Sequence, residues 1–312
     1  MKSVAPINIA VVKYWGKEDE ELILPCNPSI SITLTEFYTT TEVTKSTNDE
    51  FFLNGTQTEI TPRLAKCINA FRKLSSQSHP LSIKSFNNFP TAAGLASSAS
   101  GLACLVSALN KHYSLNLNQT ELSRIARLGS GSACRSLFGG FVLWKGETAS
   151  QLFHSNHWPS LRVLVLVVKN EKKDVSSSLG MQRTVQTSSL FVSRRENATQ
   201  HIVEMTAAIA NRDFSKFSEI TMKESNQLHA LCMDSFPPIF YLNETSKRII
   251  QFVHKFNEPR IKAAYSFDAG PNCFIFVEEP TVEEFKSELE KNFILGSEIQ
   301  SVTVCQIGEG AN

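Results

Sequence analysis

Apolar residues recur along this chain at both strand and helix spacing, in a mixed order. Nearly continuous apolar side chains predict a buried strand over residues 7–14. Over residues 29–34 Ile and Leu alternate with Ser and Thr, which predicts a half-buried strand, and the threonine-rich segment 39–44 is predicted to pair with it. Further strands are predicted over residues 82–86, 141–144, 161–168, 261–265, 273–277 and 301–306.

Helix signals are interspersed with these strands. Thr61 followed by Pro62 predicts a helix start, because Thr caps a helix N-terminus well and Pro suits the first helical position. A second helix carries an apolar stripe from Leu102 to Leu109. Other helices are predicted over residues 119–128, 175–194, 199–210, 214–229, 243–256 and 281–292. Strands and helices do not alternate regularly, so an α+β fold is favoured over a doubly wound sheet.

Composition and charge narrow the class of protein. A length of 312 residues suggests about two domains, and 42% hydrophobic with 20% charged residues is typical of a chain that buries a core. The formal net charge is only +1, so we expect no nucleic-acid partner and expect anions to be bound by local groups. No secretory signal or membrane span is recognised. Seven cysteines without a CxxC pair favour a reducing compartment.

A stretch of small residues over 90–101 (PTAAGLASSASG) is the first candidate for ligand binding. Small side chains let backbone N–H groups approach a ligand, and the start of the following helix favours an anion. Ser97 and Ser98 could cap that helix or contact a phosphate or its metal ion. The stretch is not a Walker A loop, because no Gly-Lys-Ser/Thr closes it. An ordinary helix start fits the same residues equally well.

A second turn of this kind covers residues 129–136 (GSGSACRS) and adds a cation. The guanidinium of Arg135 could hold a carboxylate or phosphate at two points. Two such turns in one chain suggest two anionic ligands, although Ser and Gly are common in loops of every kind.

Charged residues also stand at the ends of two predicted strands. Lys13 and Lys17 flank two aromatic residues and could form a pocket wall, or simply a solvated strand end. Asp268 lies in a tight turn between two apolar strands. Such an aspartate often bonds its own backbone, but it could also orient a substrate hydroxyl.

Taken together, these segments resemble the mevalonate diphosphate decarboxylases, a family of the GHMP kinase superfamily. The matching stretches are residues 5–17 (APINIAVVKYWGK), 87–99 (NNFPTAAGLASSA), 123–140 (SRIARLGSGSACRSLFGG), 172–177 (KKDVSS), 234–241 (DSFPPIFY), 245–250 (TSKRII) and 267–272 (FDAGPN). They occur in the family's order from near residue 5 to the last strand. The part after Val277 looks trimmed relative to eukaryotic members.

The resemblance implies a two-domain GHMP kinase-like fold with an active-site cleft between the domains. Residues 1–175 would form the ATP-binding domain and residues 176–312 an α/β sandwich domain. The implied activity is ATP-dependent decarboxylation of (R)-mevalonate 5-diphosphate to isopentenyl diphosphate in isoprenoid and sterol biosynthesis. ATP would be used with Mg²⁺. The resemblance also implies a homodimer in the cytosol.

Site residues follow from the resemblance position by position. Asp268 would contact the 3-hydroxyl and Lys13 would neutralise charge beside it. Arg135 would hold the substrate carboxylate, with Ser132 in support. Residues that would surround the substrate and its diphosphate are Tyr14, Trp15, Gly16, Lys17, Arg63, Ser130, Gly131, Ser132, Ala133, Cys134, Arg135, Ser177 and Ser178. Residues that would cradle the ATP phosphates are Gly94, Leu95, Ala96, Ser97, Ser98, Ala99, Ser100 and Gly101. No protein ligand is assigned to the metal ion.

Two other functions stay open on the sequence. A sister kinase of the same superfamily would stop after phosphorylating a hydroxyl, and release of carbon dioxide together with ADP separates the two. A non-catalytic binding module is disfavoured by the near-neutral charge and by the presence of Lys13, Arg135 and Asp268.

Overall fold

The computed structural model describes residues 1–89, 97–168 and 174–312. Most of the first small-residue stretch, including Gly94, Leu95 and Ala96, therefore lies outside the described residues. In the described ranges two main sheets carry the architecture, each backed by helices.

The first sheet has seven strands within the described residues, in the order β6-β5-β7-β4-β8-β9, with β1 also paired to β4. All neighbours are antiparallel except β5 and β7. The strands are β1 (Lys2–Val12), β4 (Ser29–Lys45), β5 (Glu50–Leu53), β6 (Thr56–Thr58), β7 (Leu81–Asn87), β8 (Phe141–Lys145) and β9 (Thr148–Phe153), and a separate two-stranded ribbon joins β2 (Lys17–Asp19) to β3 (Leu24–Pro25).

Helices cover one side of this sheet and enclose an apolar core. They are α1 (Pro62–Ser75), α2 (Ser97–Tyr113), α3 (Gln119–Gly129) and the single turn α4 (Ala133–Ser136). Thr61 caps α1 as predicted, accepting from the Leu64 amide at 3.4 Å. The predicted stripe of α2 is buried, with Leu105 and Leu109 at 1% and 0% exposure. Side-chain burial thus fixes the helices against the strands.

The second sheet has the order β11-β12-β10-β13 and is antiparallel throughout. Its strands are β10 (Leu161–Val167), β11 (Ala263–Phe267), β12 (Cys273–Glu278) and β13 (Ser301–Cys305), and its helices are α5 (Ser177–Thr187), α6 (Phe191–Asn211), α7 (Phe214–Asp234), α8 (Glu244–Phe256) and α9 (Val282–Asn292). Short 3-10 turns cover Ser155–His157 and Glu279–Thr281. No helix of the described part is long and apolar enough to cross a bilayer.

The chain end joins the two halves. After β13, the Gly308 amide donates to the Thr33 carbonyl at 2.8 Å, and the Asn312 amide donates to the Val4 carbonyl at 3.1 Å. The core of the second sheet is also continuous with apolar residues of β1 and β4. Both strands therefore stand between two layers of packed side chains.

That position explains a wrong strand prediction. Segments 29–34 and 39–44 do not pair with each other, because both belong to the single strand β4. Residues 29–34 are also fully buried, not half-buried. The polar side chains on this strand find partners inside the protein: Thr33 Oγ1 donates to the Phe138 carbonyl at 2.8 Å, and Thr41 shares a 3.0 Å hydrogen bond with Ser85. The alternation of polar and apolar residues along this strand therefore did not indicate that one face of the strand contacts solvent.

Two helix boundaries and several strands were also mispredicted. The predicted gap between two helices at residues 195–198 does not exist, because α6 runs through it. The chain turns instead between Thr187 and Phe191. The Asp234 carboxylate fixes that turn, accepting from the Leu190 amide at 3.1 Å. Strands β2, β3, β5, β6 and β9 were not predicted. The β5–β6 hairpin carries an Asn54-Gly55 turn with positive φ at both residues, a signal that the sequence did contain.

Candidate active site

A cavity opens where the ends of β1 and β11 meet the starts of α2, α4 and α5. Both halves of the chain contribute to its wall. The predicted site residues that line it are Lys13, Tyr14, Trp15, Lys17, Arg63, Ser98, Ser130, Gly131, Ser132, Arg135, Ser177, Ser178 and Asp268. Residues from distant parts of the sequence are therefore brought to one place.

An ion pair between Lys13 and Asp268 stands in the wall of this cavity. Lys13 follows β1 and Asp268 follows β11, and Nζ lies 2.6 Å from Oδ1. The lysine side chain is 1% exposed and the aspartate 32%, so the carboxylate is the half of the pair that a ligand can reach. Burial lowers the pKa of Lys13, while the charges of Asp268 and Glu224 oppose that shift. The two carboxylates therefore favour the protonated lysine, whereas burial disfavours it.

Arg135 lies on α4 and is 3% exposed. Its Nη1 donates to Ser29 Oγ at 2.7 Å and its Nε donates to Asn8 Oδ1 at 3.2 Å. The guanidinium carbon also lies 5.7 Å from the centre of the Trp144 ring. Burial lowers the pKa of Arg135. Its hydrogen-bond partners in the described ranges are neutral, so its charge can act on an anionic ligand in the cavity.

Further polar groups line the rest of the wall. Arg63, in the first turn of α1, donates to Ser178 Oγ at 2.5 Å, which joins the two halves across the cavity. The Lys17 ammonium is paired at 2.5 Å with Glu20, whose side chain is 51% exposed. The Tyr14 hydroxyl is buried and has no hydrogen-bond partner among the described residues. A ligand oxygen in the cavity would satisfy that hydroxyl.

Three of the predicted substrate residues lie behind this wall. Gly16 has φ +94°, and a Cβ there would lie 2.5 Å from Phe191 Cζ, so the turn requires glycine. Ala133 and Cys134 are fully buried. Burial raises the pKa of the Cys134 thiol to about 12, and its Sγ donates to the Gly131 carbonyl at 2.9 Å. Ala133 and Cys134 therefore support the turn that carries Arg135 without contacting the cavity.

The predicted nucleotide residues border a second, mostly apolar cavity of about 510 Å³. Ser97, Ser98 and Gly101 line it, at the start of α2. Ala99 is buried, and Ser100 is held inside by a 2.7 Å hydrogen bond to Thr39. The apolar residues that complete the cavity are Phe51, Leu53, Pro62, Leu64, Leu102 and Leu105. Arg63 and Ser98 line both cavities, so the two adjoin there.

Sequence reasoning missed the apolar part of the first cavity. These residues are Ala10, Ile23, Gly129, Met181, Leu228 and Ala269. Met181 lies one turn after Ser178 on α5, so helical spacing could have found it. Leu228 and Ile23 lie outside the matched motifs, and only the tertiary structure places them here. Asn8, inside the matched stretch 5–17, and Ser29, outside every matched stretch, were also missed, because only the tertiary structure shows that they hold Arg135.

Lys13, Arg135, several hydroxyls and the Asp268 carboxylate line one cavity, an arrangement that is typical of an enzyme site for an anionic small molecule. Models described as "Diphosphomevalonate decarboxylase-like N-terminal domain" and "Mevalonate 5-diphosphate decarboxylase C-terminal domain" match residues 5–154 and 163–309. The chain therefore belongs to the diphosphomevalonate decarboxylase family.

Individual relatives agree with the family models. A diphosphomevalonate decarboxylase of Candida albicans is 50% identical over 315 residues, covering 93% of this chain and 87% of that protein. A solved mevalonate diphosphate decarboxylase from Enterococcus faecalis has 36% identity and a TM-score of 0.91, covering 99% of this chain and 97% of that one. A structure of MDDEF in complex with MVAPP, AMPPCP and magnesium has 37% identity and a TM-score of 0.92, with 100% and 97% covered.

These findings confirm the predicted family, the enzyme class and the two-domain α+β fold. The domain boundary at residue 175 stays a prediction, and so do the individual residue roles. Within the described residues no group of three or more His, Cys, Asp or Glu side chains could hold a metal ion.

Proposed function

We propose that this chain converts (R)-mevalonate 5-diphosphate and ATP to isopentenyl diphosphate, ADP, phosphate and carbon dioxide. A 3-hydroxy acid does not lose carbon dioxide readily, because no electron sink stands beside its carboxylate. Transfer of the terminal phosphoryl group to the tertiary 3-hydroxyl makes that oxygen a leaving group. Its departure as phosphate leaves an electron-deficient carbon, which accepts the electron pair of the breaking carboxylate bond and forms the double bond.

Asp268 is the group that we assign to the 3-hydroxyl. The Lys13 ammonium lies 2.6 Å from one oxygen of this carboxylate, and an ordinary carboxylate is a weak base for an alkanol. Asp268 therefore orients the hydroxyl first and takes up its proton only as phosphoryl transfer proceeds. Lys13 stabilises the negative charge that gathers around the oxygen during transfer.

Arg135 is the group that we assign to the substrate carboxylate. Its guanidinium is oriented by Asn8 and Ser29, both neutral, and its charge is therefore available to the ligand. Ser132, in the same turn, supports that contact. The diphosphate would lie against the polar wall formed by Tyr14, Lys17, Arg63, Ser130, Ser177 and Ser178.

The apolar second cavity suits the base of ATP, and the start of α2 suits its phosphates. Because the cavities adjoin at Arg63 and Ser98, a nucleotide there would point its terminal phosphate toward the substrate cavity. When bound, Mg²⁺ would neutralise phosphate charge. This ion usually binds through phosphates and water with few carboxylates, so it does not require an acidic cluster.

The observation that carries the proposal is the Lys13–Asp268 pair, with its carboxylate facing a cavity that Arg135 also lines. The test is a coupled ATPase assay with mevalonate 5-diphosphate, followed by mass analysis of the products. We expect ADP, phosphate, carbon dioxide and isopentenyl diphosphate in equal amounts. ADP with a stable phosphorylated hydroxy acid and no carbon dioxide would instead establish the sister-kinase activity.

We further propose that the enzyme works as a cytosolic homodimer that supplies isoprenoid and sterol synthesis. All seven cysteines are free thiols, which suits a reducing compartment. Exposed apolar side chains near the end of α7, among them Phe236 at 77% and Phe240 at 69%, offer a surface for a second copy. Light scattering tests this: Phe236→Glu with Phe240→Glu should halve the mass, and an unchanged mass would place the interface elsewhere.

A further inference from the structure

The backbone of Lys13 leaves the first sheet directly after β1 and takes its hydrogen bonds from side chains. Its N–H donates to Glu224 Oε2 at 2.7 Å. Its carbonyl accepts from Arg194 Nη2 at 2.9 Å and from Asn27 Nδ2 at 2.9 Å. Both backbone groups of this residue are thus held by side chains that are distant in sequence.

Arg194 and Glu224 also form a closed ion pair with each other. The two Nη atoms reach the two carboxylate oxygens at 2.7 Å and 2.6 Å, a two-point contact between α6 and α7. The side chains are 1% and 0% exposed. His201 Nδ1 and the Gln227 amide oxygen complete the group. A pair held at this many points keeps a fixed geometry.

The same helix holds the other half of the catalytic ion pair. Ser225, next to Glu224 on α7, accepts the Phe267 amide at 2.9 Å. Phe267 is the last residue of β11 and precedes Asp268. Two consecutive residues of α7 therefore hold the backbone on both sides of the ion pair: Glu224 binds the Lys13 N–H, and Ser225 binds the N–H of the residue before Asp268.

We propose that Arg194 and Glu224 are positioning residues of the active site, which clamp the Lys13 backbone and so set its ammonium against Asp268. Neither side chain lines the substrate cavity, so they act through Lys13. The inference rests on the proposed reaction. An error of about 1 Å in placing a catalytic group can cost on the order of 100-fold in rate.

A second consequence concerns the protonation of Lys13. The charged groups that face it are Asp268 after β11, Glu224 on α7, Arg194 on α6 and Arg135 on α4, and the titratable but neutral His229 on α7 faces it too. The charge of Glu224 raises the pKa of Lys13 against the lowering effect of burial. Removing that charge while keeping the hydrogen bond should make Lys13 lose its proton at lower pH.

Two double variants separate the clamp from simple stability. Arg194→Met with Glu224→Leu removes both charges and both contacts to Lys13. Arg194→Met with Glu224→Gln removes the same charges but keeps an oxygen that can accept the Lys13 N–H. Removing both partners avoids an uncompensated buried charge. The control is Arg162→Met with Glu279→Gln, which removes an Arg–Glu pair of 2.9 Å remote from the cavity.

The Leu-containing variant should lose about 10- to 100-fold in kcat, with the KM for ATP within about twofold. The Gln-containing variant should recover most of that loss. Glu224→Gln alone, which removes the negative charge and leaves Arg194 in place, should move the alkaline limb of the kcat profile to lower pH than in the wild type. The control should keep wild-type values. Melting temperatures report whether each variant is folded.

Several outcomes would overturn the inference. One is a folded Leu-containing variant with kcat within about twofold of wild type, and another is an equal loss in both variants. If the Leu-containing variant does not fold, an unshifted pH profile in Glu224→Gln overturns it. A wild-type enzyme that releases no carbon dioxide would defeat the proposed function instead, so the two failures are distinguishable.

Discussion

Two ion pairs meet at Lys13, and they differ in exposure. The pair with Asp268 faces the cavity, and its carboxylate is 32% exposed. The pair between Arg194 and Glu224 lies behind it, with exposures of 1% and 0%, and holds the Lys13 backbone. In the first pair the carboxylate keeps acceptor capacity toward the cavity. In the second, Arg194, His201 and the Lys13 N–H occupy both oxygens of the Glu224 carboxylate.

This difference teaches what each pair can do. A carboxylate with an accessible oxygen can bind and orient a substrate hydroxyl, so its loss should appear in turnover. A closed, buried pair can hold a neighbouring backbone in place. It does not destabilise the fold as long as both partners are present, because one partner alone is an uncompensated buried charge. Arg135 is a third case, a buried cation whose described partners are neutral.

The largest expected effect is that of Asp268→Ala. We expect kcat to fall about 10³-fold or more, equivalent to about 4 kcal/mol, because the hydroxyl loses its orienting group and proton acceptor. Nucleotide affinity should change little, but the melting temperature should fall, since the buried Lys13 loses the carboxylate that pairs with it. Steady-state kinetics and nucleotide titration check this. Asp49→Ala, which breaks a 2.6 Å pair with Arg72 remote from the cavity, is the control and should keep full turnover.

The next effect separates two buried arginines. Arg194→Met alone should lower the free energy of unfolding by about 3–5 kcal/mol, because it leaves Glu224 buried and unpaired. Arg135→Met should lower that free energy by less, about 1–2 kcal/mol, since only neutral groups lose a partner. Urea unfolding of the two variants measures both. Equal losses would contradict the distinction between a paired and a ligand-directed arginine.

Arg135→Lys should be impaired although the charge is kept. Lysine cannot make the planar two-point contact with a carboxylate, so we expect kcat/KM for mevalonate 5-diphosphate to fall about 10- to 100-fold. The KM for ATP should stay near its wild-type value. A normal kcat/KM would show that Arg135 does not hold the carboxylate.

Near neutral pH the smallest effect concerns a buried group that is held neutral. Burial, with a further contribution from Lys13, lowers the pKa of His229 from 6.5 to about 3. Its stabilising contribution is therefore complete above pH 6.5 and is lost as the pH falls, because the unfolded chain takes up a proton that the folded one does not. That proton accounts for a slope of about 1.4 kcal/mol per pH unit between those values.

Urea unfolding of wild type and His229→Phe at pH 6, 5 and 4 checks this slope. His229→Phe should lack this slope. Subtracting its free energy of unfolding from that of the wild type at each pH removes the contributions of the other titratable groups. Identical slopes would show that His229 does not titrate as described.

Much of the fold was readable from the sequence where local rules decide it. The cap at Thr61, the stripe of α2 and the strands β7, β10 and β12 were predicted, because each depends on neighbours a few residues away. The nature of β4 was mispredicted. Its polar residues have buried partners on other elements, which no local pattern reveals.

By itself, the sequence determined the chemistry available: a lysine after the first strand, an arginine in a Gly-Ser turn and an aspartate in a strand-end turn. Only the tertiary structure decided that Lys13 and Asp268 touch, and that Arg194 and Glu224 lie behind them. Contacts between residues 13 and 268 or 13 and 224 depend on how sheets and helices pack. That packing depends on the whole buried surface, so it cannot be predicted from the spacing of residues within a short segment.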